Sequence, residues 1–393
     1  MDALPPRSRL LHVSLMKTGT TALQTAASHR RPELLAHGVR YPGTHYNHRR
    51  EAQALFGRTS AAPRDRPDYW DRLMGEVDAD VTRRILISNE MIAAGDQTTA
   101  RRLQEDLGPL THVVFTVRSF SSVLPSLWQQ YVKSGHRQDF EEFLHRRLVS
   151  DLSPPPDMAR HDQGALVMRW VDVFGPENVT VIVVDKSEPR RVPSSFETLL
   201  GLPAGMLYEP ELRGESLNRS LSVHEASLLL AVNRLLAPYD LPRDEVNRLL
   251  LKSATARMLD QCPAPDPDAQ LVLPPWAVEP ATARSREHAE AIAASGARVV
   301  GDLAELGQPP RTGGGQWQVS TSVPVEVAAQ AVVGALSPAL ARADEADQVP
   351  TAAPPARGAD TRGGRAGLLS SAVRRLLRRL RSSTRGAGAR SRR

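Results

Sequence analysis

The stretch Leu10-Leu11-His12-Val13-Ser14-Leu15-Met16-Lys17-Thr18-Gly19-Thr20-Thr21-Ala22-Leu23-Gln24-Thr25-Ala26-Ala27 decides how this chain folds. Leu10 to Met16 is an apolar run of strand length, and Ala22 to Ala27 continues as helix. Between them Lys17-Thr18-Gly19-Thr20-Thr21 makes a tight loop, so strand, loop and helix form the first half of a βαβ unit. Such a loop brings successive backbone N–H groups and two hydroxyls to a helix N-terminus, an arrangement that attracts anions. The missing side chain at Gly19 lets the backbone approach a phosphate, and Lys17 adds a mobile point charge. The ATPase pattern is different: it needs Gly, four residues, then Gly-Lys-Ser/Thr, whereas here the lysine precedes the glycine. The plainer alternative is an ordinary strand-to-helix turn capped by Thr20.

Working outward, further strands read at Arg84–Ser88, His112–Arg118 and Asn178–Val184. The second of these is nearly continuous in apolar or β-branched residues, as a buried parallel strand should be. Helices read around Tyr69–Val77, from about Ser122 to Lys133 with Pro125 placed in the first turn, and up to Phe174-Gly175. The alternation predicts an α/β class: a P-loop-like three-layer fold with a central parallel sheet flanked by helices. From about Ser194 the pattern turns mostly helical, at Phe196–Leu200, Ser222–Leu236, Arg243–Leu259 and Ser285–Ala294. An apolar exception stands at Ala297–Leu303. The expected organisation is an α/β domain over 1–310, a helical extension over 311–343, a Pro/Ala/Gly-rich linker over 344–367, and an Arg-rich tail over 368–393.

The chain has 393 residues, 41% of them hydrophobic and 24% charged, which allows a sizeable core. A single cysteine, Cys262, excludes an internal disulfide and a cysteine-based metal site. No metal-ligand spacing is present, so no metal is expected. No apolar run reaches the roughly 18 to 20 residues that span a bilayer, and Met1–Leu10 lacks a signal-peptide layout. The expected setting is therefore the cytoplasm. The net charge of +6 is unevenly held: Arg362–Arg393 contains eleven arginines and no acid, and subtracting them leaves the body at −5.

The Lys17–Thr21 loop resembles that of the sulfotransferases that use 3′-phosphoadenosine-5′-phosphosulfate, whose loop for the 5′-phosphosulfate has the form Lys-[Ser/Thr]-Gly-Thr-Thr after the first strand. That family binds the 3′-phosphate with an arginine ending a later strand and a serine eight residues on. Arg118 and Ser126 match that spacing here. The resemblance covers residues 9 to about 310 and is closest to bacterial members, through Leu124–Lys133 and Arg298–Leu303. It implies a cofactor site made of Lys17, Thr18, Gly19, Thr20, Thr21, Arg118 and Ser126, with no metal. Two features depart from the cytosolic animal enzymes. Ala22 stands where they carry an adenine-stacking tryptophan, and their late Arg-Lys-Gly element is missing.

Sulfuryl transfer to a hydroxyl, or less readily an amine, needs alignment, charge neutralisation and a base for the acceptor's proton. By the resemblance, Lys17 neutralises charge on the departing oxygen, and the base follows the strand before the arginine strand, at Glu90. His45, in the loop after the first helix, ranks second as base; helix capping by Glu90 is the plainer alternative. Trp128, Gln129 and Lys133 are weak candidates for lining the acceptor site, which is expected to take a carbohydrate, glycolipid or small molecule. In the tail, Leu368, Leu369, Ala372, Val373, Leu376, Leu377 and Leu380 recur at helical spacing opposite Arg374, Arg375, Arg378 and Arg381. That pattern suits the surface of an anionic membrane, at its inner face, better than nucleic acid, because no aromatics interleave with the arginines; a solvated tail is the bland alternative. Two rival functions stay open: a kinase or NTPase with a degenerate phosphate loop, and a non-catalytic binding module recruited through the tail.

Overall fold

The computed structural model describes residues 1–14, 20–56, 69–149, 161–209, 219–239, 246–247, 251–310 and 315–347. Its elements begin β1 (Arg9–His12), α1 (Thr20–His29), α2 (Arg31–Ala36), β2 (Val39–Arg40), α3 (Arg49–Leu55), α4 (Tyr69–Ala79), β3 (Arg84–Ser88), α5 (Gln97–Leu107) and β4 (Thr111–Val117). They continue α6 (Phe120–Lys133), α7 (Phe140–Leu148), α8 (Gln163–Phe174), β5 (Val179–Val183), α9 (Arg191–Leu200), α10 (Val223–Leu235), α11 (Lys252–Gln261), α12 (Pro275–Ala294), β6 (Arg298–Val300) and α13 (Val325–Asp347).

The described residues fall into two compact units. The first lies within Met1–Leu127, Phe143–Gly214 and Leu273–Thr312, the second within Trp128–Glu142, Glu215–Val272 and Gly313–Arg393. The helices α10 and α11 fall to the second unit. The helix α13 also runs to Asp347, past the expected linker boundary at 344. The Arg-rich tail lies outside the described residues.

In the first unit the six strands make one sheet in the order β2-β3-β1-β4-β5-β6, parallel at every pairing. Alternate residues of each strand face opposite ways. On one face Leu11, Val13, Ile87, Val113, Phe115 and Val181 pack with Trp70, Leu103 and Trp170 from α4, α5 and α8. On the other, Leu10, Leu86, Val114 and Ile182 pack with Leu23, Leu34 and Phe196 from α1, α2 and α9. Helices on both faces explain why the strands are apolar on both sides, and they give the three layers of an α/β fold.

Three local features correct the sequence reading. The apolar exception at Ala297–Leu303 supplies the sixth strand, paired Thr180↔Arg298 to Ile182↔Val300. The two-residue β2, Val39↔Arg84 and Arg40↔Ile85, forms the opposite edge. Finally, α6 begins at Phe120, so Pro125 lies inside the helix and not in its first turn. A proline there lacks the N–H that would reach back to the carbonyl of Ser121.

The second unit is helical. Ser222 and Glu225 form a reciprocal capping box at the start of α10, and Arg219 closes it with two bonds to the Glu225 carboxylate at 2.8 and 2.6 Å. Gln129 holds the chain at Leu221 from both sides, donating to its carbonyl at 3.1 Å and accepting from its N–H at 3.0 Å.

Candidate functional site

The strand order places one topological switch point in the sheet. From β1 the chain leaves toward β2; from β4, directly beside β1, it leaves the other way, toward β5. Parallel sheets bind ligands in the crevice that opens at the carboxyl ends of two such strands. The sequence-predicted loop follows β1 at this point. Lys17, Thr18 and Gly19 lie outside the described residues, whereas Thr20 opens α1 and is buried, and Thr21 is exposed.

Arg118 is the first residue beyond β4, on the face of the sheet that carries α1 and α9 by strand alternation. Its backbone is clamped by the buried side chain of Gln163, the first residue of α8. Gln163 accepts from the Arg118 N–H at 2.9 Å and donates to its carbonyl at 2.8 Å. The next turn is fixed from α12, where the Ser285 hydroxyl accepts from the Phe120 N–H at 2.9 Å. Burial lowers the pKa of the Arg118 guanidinium from its usual value. Ser126 is half-buried two turns into α6.

Glu90 opens the short 3-10 turn after β3, the strand on the other side of β1. The cap of that turn is Asn89, whose side chain accepts from the Met91 N–H at 2.9 Å, so the Glu90 carboxylate is free of capping duty. It accepts from Gln24 Nε2 at 3.3 Å, and the same nitrogen reaches Ser88 Oγ at 3.1 Å. Asn47 donates to Gln24 Oε1 at 3.2 Å and so sets which end of the amide faces Glu90. His45, the second candidate base, is exposed on its loop, where its backbone carbonyl accepts from Arg31.

Across the ends of β3, β1 and β4 runs a buried polar chain that sequence reasoning missed. His12 Nδ1 meets Ser88 Oγ at 2.8 Å, its Nε2 meets Ser14 Oγ, and Ser14 Oγ in turn bonds Thr116 Oγ1 at 2.5 Å and the Thr116 N–H at 3.0 Å. Burial pushes the His12 pKa down to about 3, so the ring is neutral. His48 is pushed down to about 4 by burial; the Ser88 N–H approaches its Nδ1 at 3.0 Å, and its Nε2 lies 3.0 Å from the Pro42 carbonyl. The sequence signal for both His12 and Gln24 is a polar residue in an otherwise apolar strand or helix face beside the loop.

Of the weak acceptor-site candidates, Trp128 is a core residue of the second unit. It is 1% exposed, with its indole N–H on the Gln138 carbonyl at 3.0 Å and its ring against Phe140. Gln129 is spent on Leu221. A small cleft of about 50 Å³ opens beside Ala22 and Leu23 of α1, walled by Val184, Asp185 and Tyr208. Among the described residues no group of three or more His, Cys, Asp or Glu could hold a metal ion, and no helix is long and apolar enough to cross a membrane. No family model, curated protein or solved structure matches the chain.

Proposed function

We propose that the chain is a sulfotransferase, moving a sulfuryl group from 3′-phosphoadenosine-5′-phosphosulfate to the hydroxyl of a carbohydrate, glycolipid or small molecule. The observation that carries this reading is the meeting of three elements at one switch point: the start of α1, the clamped Arg118, and Glu90 on the neighbouring strand end.

The donor set fits a bisphosphorylated nucleotide. A helix N-terminus with the Thr20 and Thr21 hydroxyls suits the 5′-phosphate, and a desolvated guanidinium with the Ser126 hydroxyl suits the 3′-phosphate. When bound, the nucleotide supplies an activated sulfuryl group. Lys17 and the N–H groups of its loop neutralise negative charge as it grows on the leaving phosphate oxygen. Glu90 takes the proton of the acceptor hydroxyl as that oxygen becomes the nucleophile, and Gln24 holds the carboxylate in place. His45 is the second candidate for this proton.

The test is calorimetric titration with 3′-phosphoadenosine-5′-phosphate and, separately, with ATP plus magnesium, on the native chain and on Lys17→Ala and Arg118→Ala. Saturable, metal-independent binding of the bisphosphate that both substitutions abolish is expected. ATP binding without bisphosphate binding would replace this reading with a kinase, and heat from neither would leave a binding module recruited through the tail.

A further inference from the structure

In the second unit, α13 is apolar on the side where a surface helix is normally polar. Its inner face rests on α11. Gly334 is buried there, where even a Cβ would stand 2.6 Å from the Ser253 carbonyl, and Arg257 Nε donates to Gln330 Oε1 at 2.8 Å. On the opposite side Val325, Ala329, Val332, Val333 and Leu336 recur at helical spacing and are exposed, Val325 at 85% and Val332 at 59%. A helix that is apolar on two opposite sides belongs between two partners, and α11 is one of them.

The size of the stripe says what kind of partner the other is. Five small side chains over three turns supply only a fraction of the roughly 800 Å² per partner that a stable interface buries, so a second copy of the chain would hold weakly. A tethered segment escapes that limit, because linkage raises its effective concentration to the order of millimolar. The chain beyond α13 carries such a segment. The apolar positions from Leu368 to Leu380 cover about 18 Å of helix, against about 17 Å for the stripe from Val325 to Leu336. Between Asp347 and Leu368 stand 20 residues, and a flexible chain of that length spans about 25 Å, enough to bring the tail back along α13.

Charge agrees with this pairing. Residues 128–142, 215–272 and 313–347 of the second unit hold 15 acids against 9 lysines and arginines, a net −6, whereas the first unit holds 28 against 29 and is +1. The eleven arginines of the tail are therefore tethered to the acidic unit. Arg375 and Arg379 border the leucine face of the tail, and Glu326 is exposed at the edge of the stripe. An anionic lipid surface would repel the same acidic unit. We propose that the Arg-rich tail, which lies outside the described residues, docks along α13 with its leucine face over the Val325–Leu336 stripe. The inference stands apart from the sulfotransferase reading.

The test is limited trypsin digestion of the full chain, with mass spectrometry timing cleavage after Arg374, Arg375, Arg378 and Arg379. Cleavage of the native chain should be about tenfold slower than that of Val332→Asp/Leu336→Asp, and Leu376→Asp/Leu377→Asp should match the faster rate. The second pair alters the tail alone, so it reads docking whatever the first does to α13. Equal rates in all three chains overturn the inference, and so does acceleration by one pair but not the other. A native dimer in sedimentation that Val332→Asp/Leu336→Asp converts to monomer also overturns it, because a second copy then covers the stripe. Protection that appears only with phosphatidylserine vesicles assigns the tail to a membrane and overturns it too.

Discussion

Lowering the pH from 7.5 to 5.0 should strip stability from this protein well before its carboxylates protonate. His12, His48 and His112 are 1%, 2% and 5% exposed, and burial holds their pKa values near 3, 4 and 4. In the unfolded chain each returns to about 6.5. The folded value is the lower one, so these histidines contribute stability that is complete above pH 6.5 and lost as the pH falls toward 4. At pH 5.0 each unfolded imidazole is almost fully protonated while its folded counterpart stays neutral. The cost is about 2 kcal/mol per histidine, or ~6 kcal/mol for the three.

His288 is shifted in the same direction and adds to the loss, whereas Glu51, whose carboxyl is raised by burial, titrates in the opposite sense and returns part of it. For His48 burial outweighs the Pro42 and Ser88 carbonyls at its two ring nitrogens, which favour the charged form, and the ring stays neutral. Urea unfolding at pH 7.5, 6.0 and 5.0 measures the effect. His48→Gln should be less stable at pH 7.5 yet lose about a third less on acidification. A fall below ~1 kcal/mol in the native chain, or an acid response untouched by His48→Gln, would refute the claim that the fold holds these rings neutral.

Three further substitutions separate positioning from packing. Gln163→Leu strips both bonds from the Arg118 backbone and should cost about 2–4 kcal/mol in urea unfolding, together with at least tenfold in bisphosphate affinity by calorimetry; a stability loss with unchanged affinity means the clamp does not aim Arg118. Glu225→Gln leaves the Arg219 guanidinium without its charge partner in a site where the carboxylate is 2% exposed, and should lower stability by about 3 kcal/mol or more. Gly164→Val should lose ~2 kcal/mol, seen as a lower Tm, because even a Cβ at this position of α8 would stand 2.7 Å from Ala291 on α12.

The strands that were legible are the long buried ones. Arg84–Ser88 agrees with the structure at both ends, and Thr111–Val117 and Val179–Val183 lie within a residue of their expected spans, because burial on both faces demands unbroken apolar runs. The edges were not legible. Val39–Arg40 is too short to carry a pattern, and Arg298–Val300 reads as strand only once β5 is there to pair with it. The helix α5 was overlooked although Asp96 caps it and Ala100, Leu103 and Leu107 repeat at helical spacing; its polar majority hid the stripe. At the candidate site, the positions of Arg118 and Glu90 are legible because each follows the end of a buried strand. The residues that hold them in place, Gln163 and Gln24, make contacts across 45 and 66 positions of chain, which no local pattern encodes.

The buried His12 belongs to one polar arrangement across the ends of β3, β1 and β4. The chain His12, Ser14, Thr116, Ser88, Gln24 and Asn47 is made of groups that hydrogen-bond without carrying charge, and His12 stays in that class because burial keeps it neutral. Neutral hydrogen-bonding groups tie the ends of β3, β1 and β4 together through geometry and add no charge of their own. Protonating the folded His12 would remove an acceptor from Ser88 or Ser14, but burial defers that step to about pH 3, below the window in which stability is lost. Stability should therefore fall between pH 6.5 and 4 while the folded chain keeps the alignment of its strand ends, because the protons are taken up by the unfolded chain.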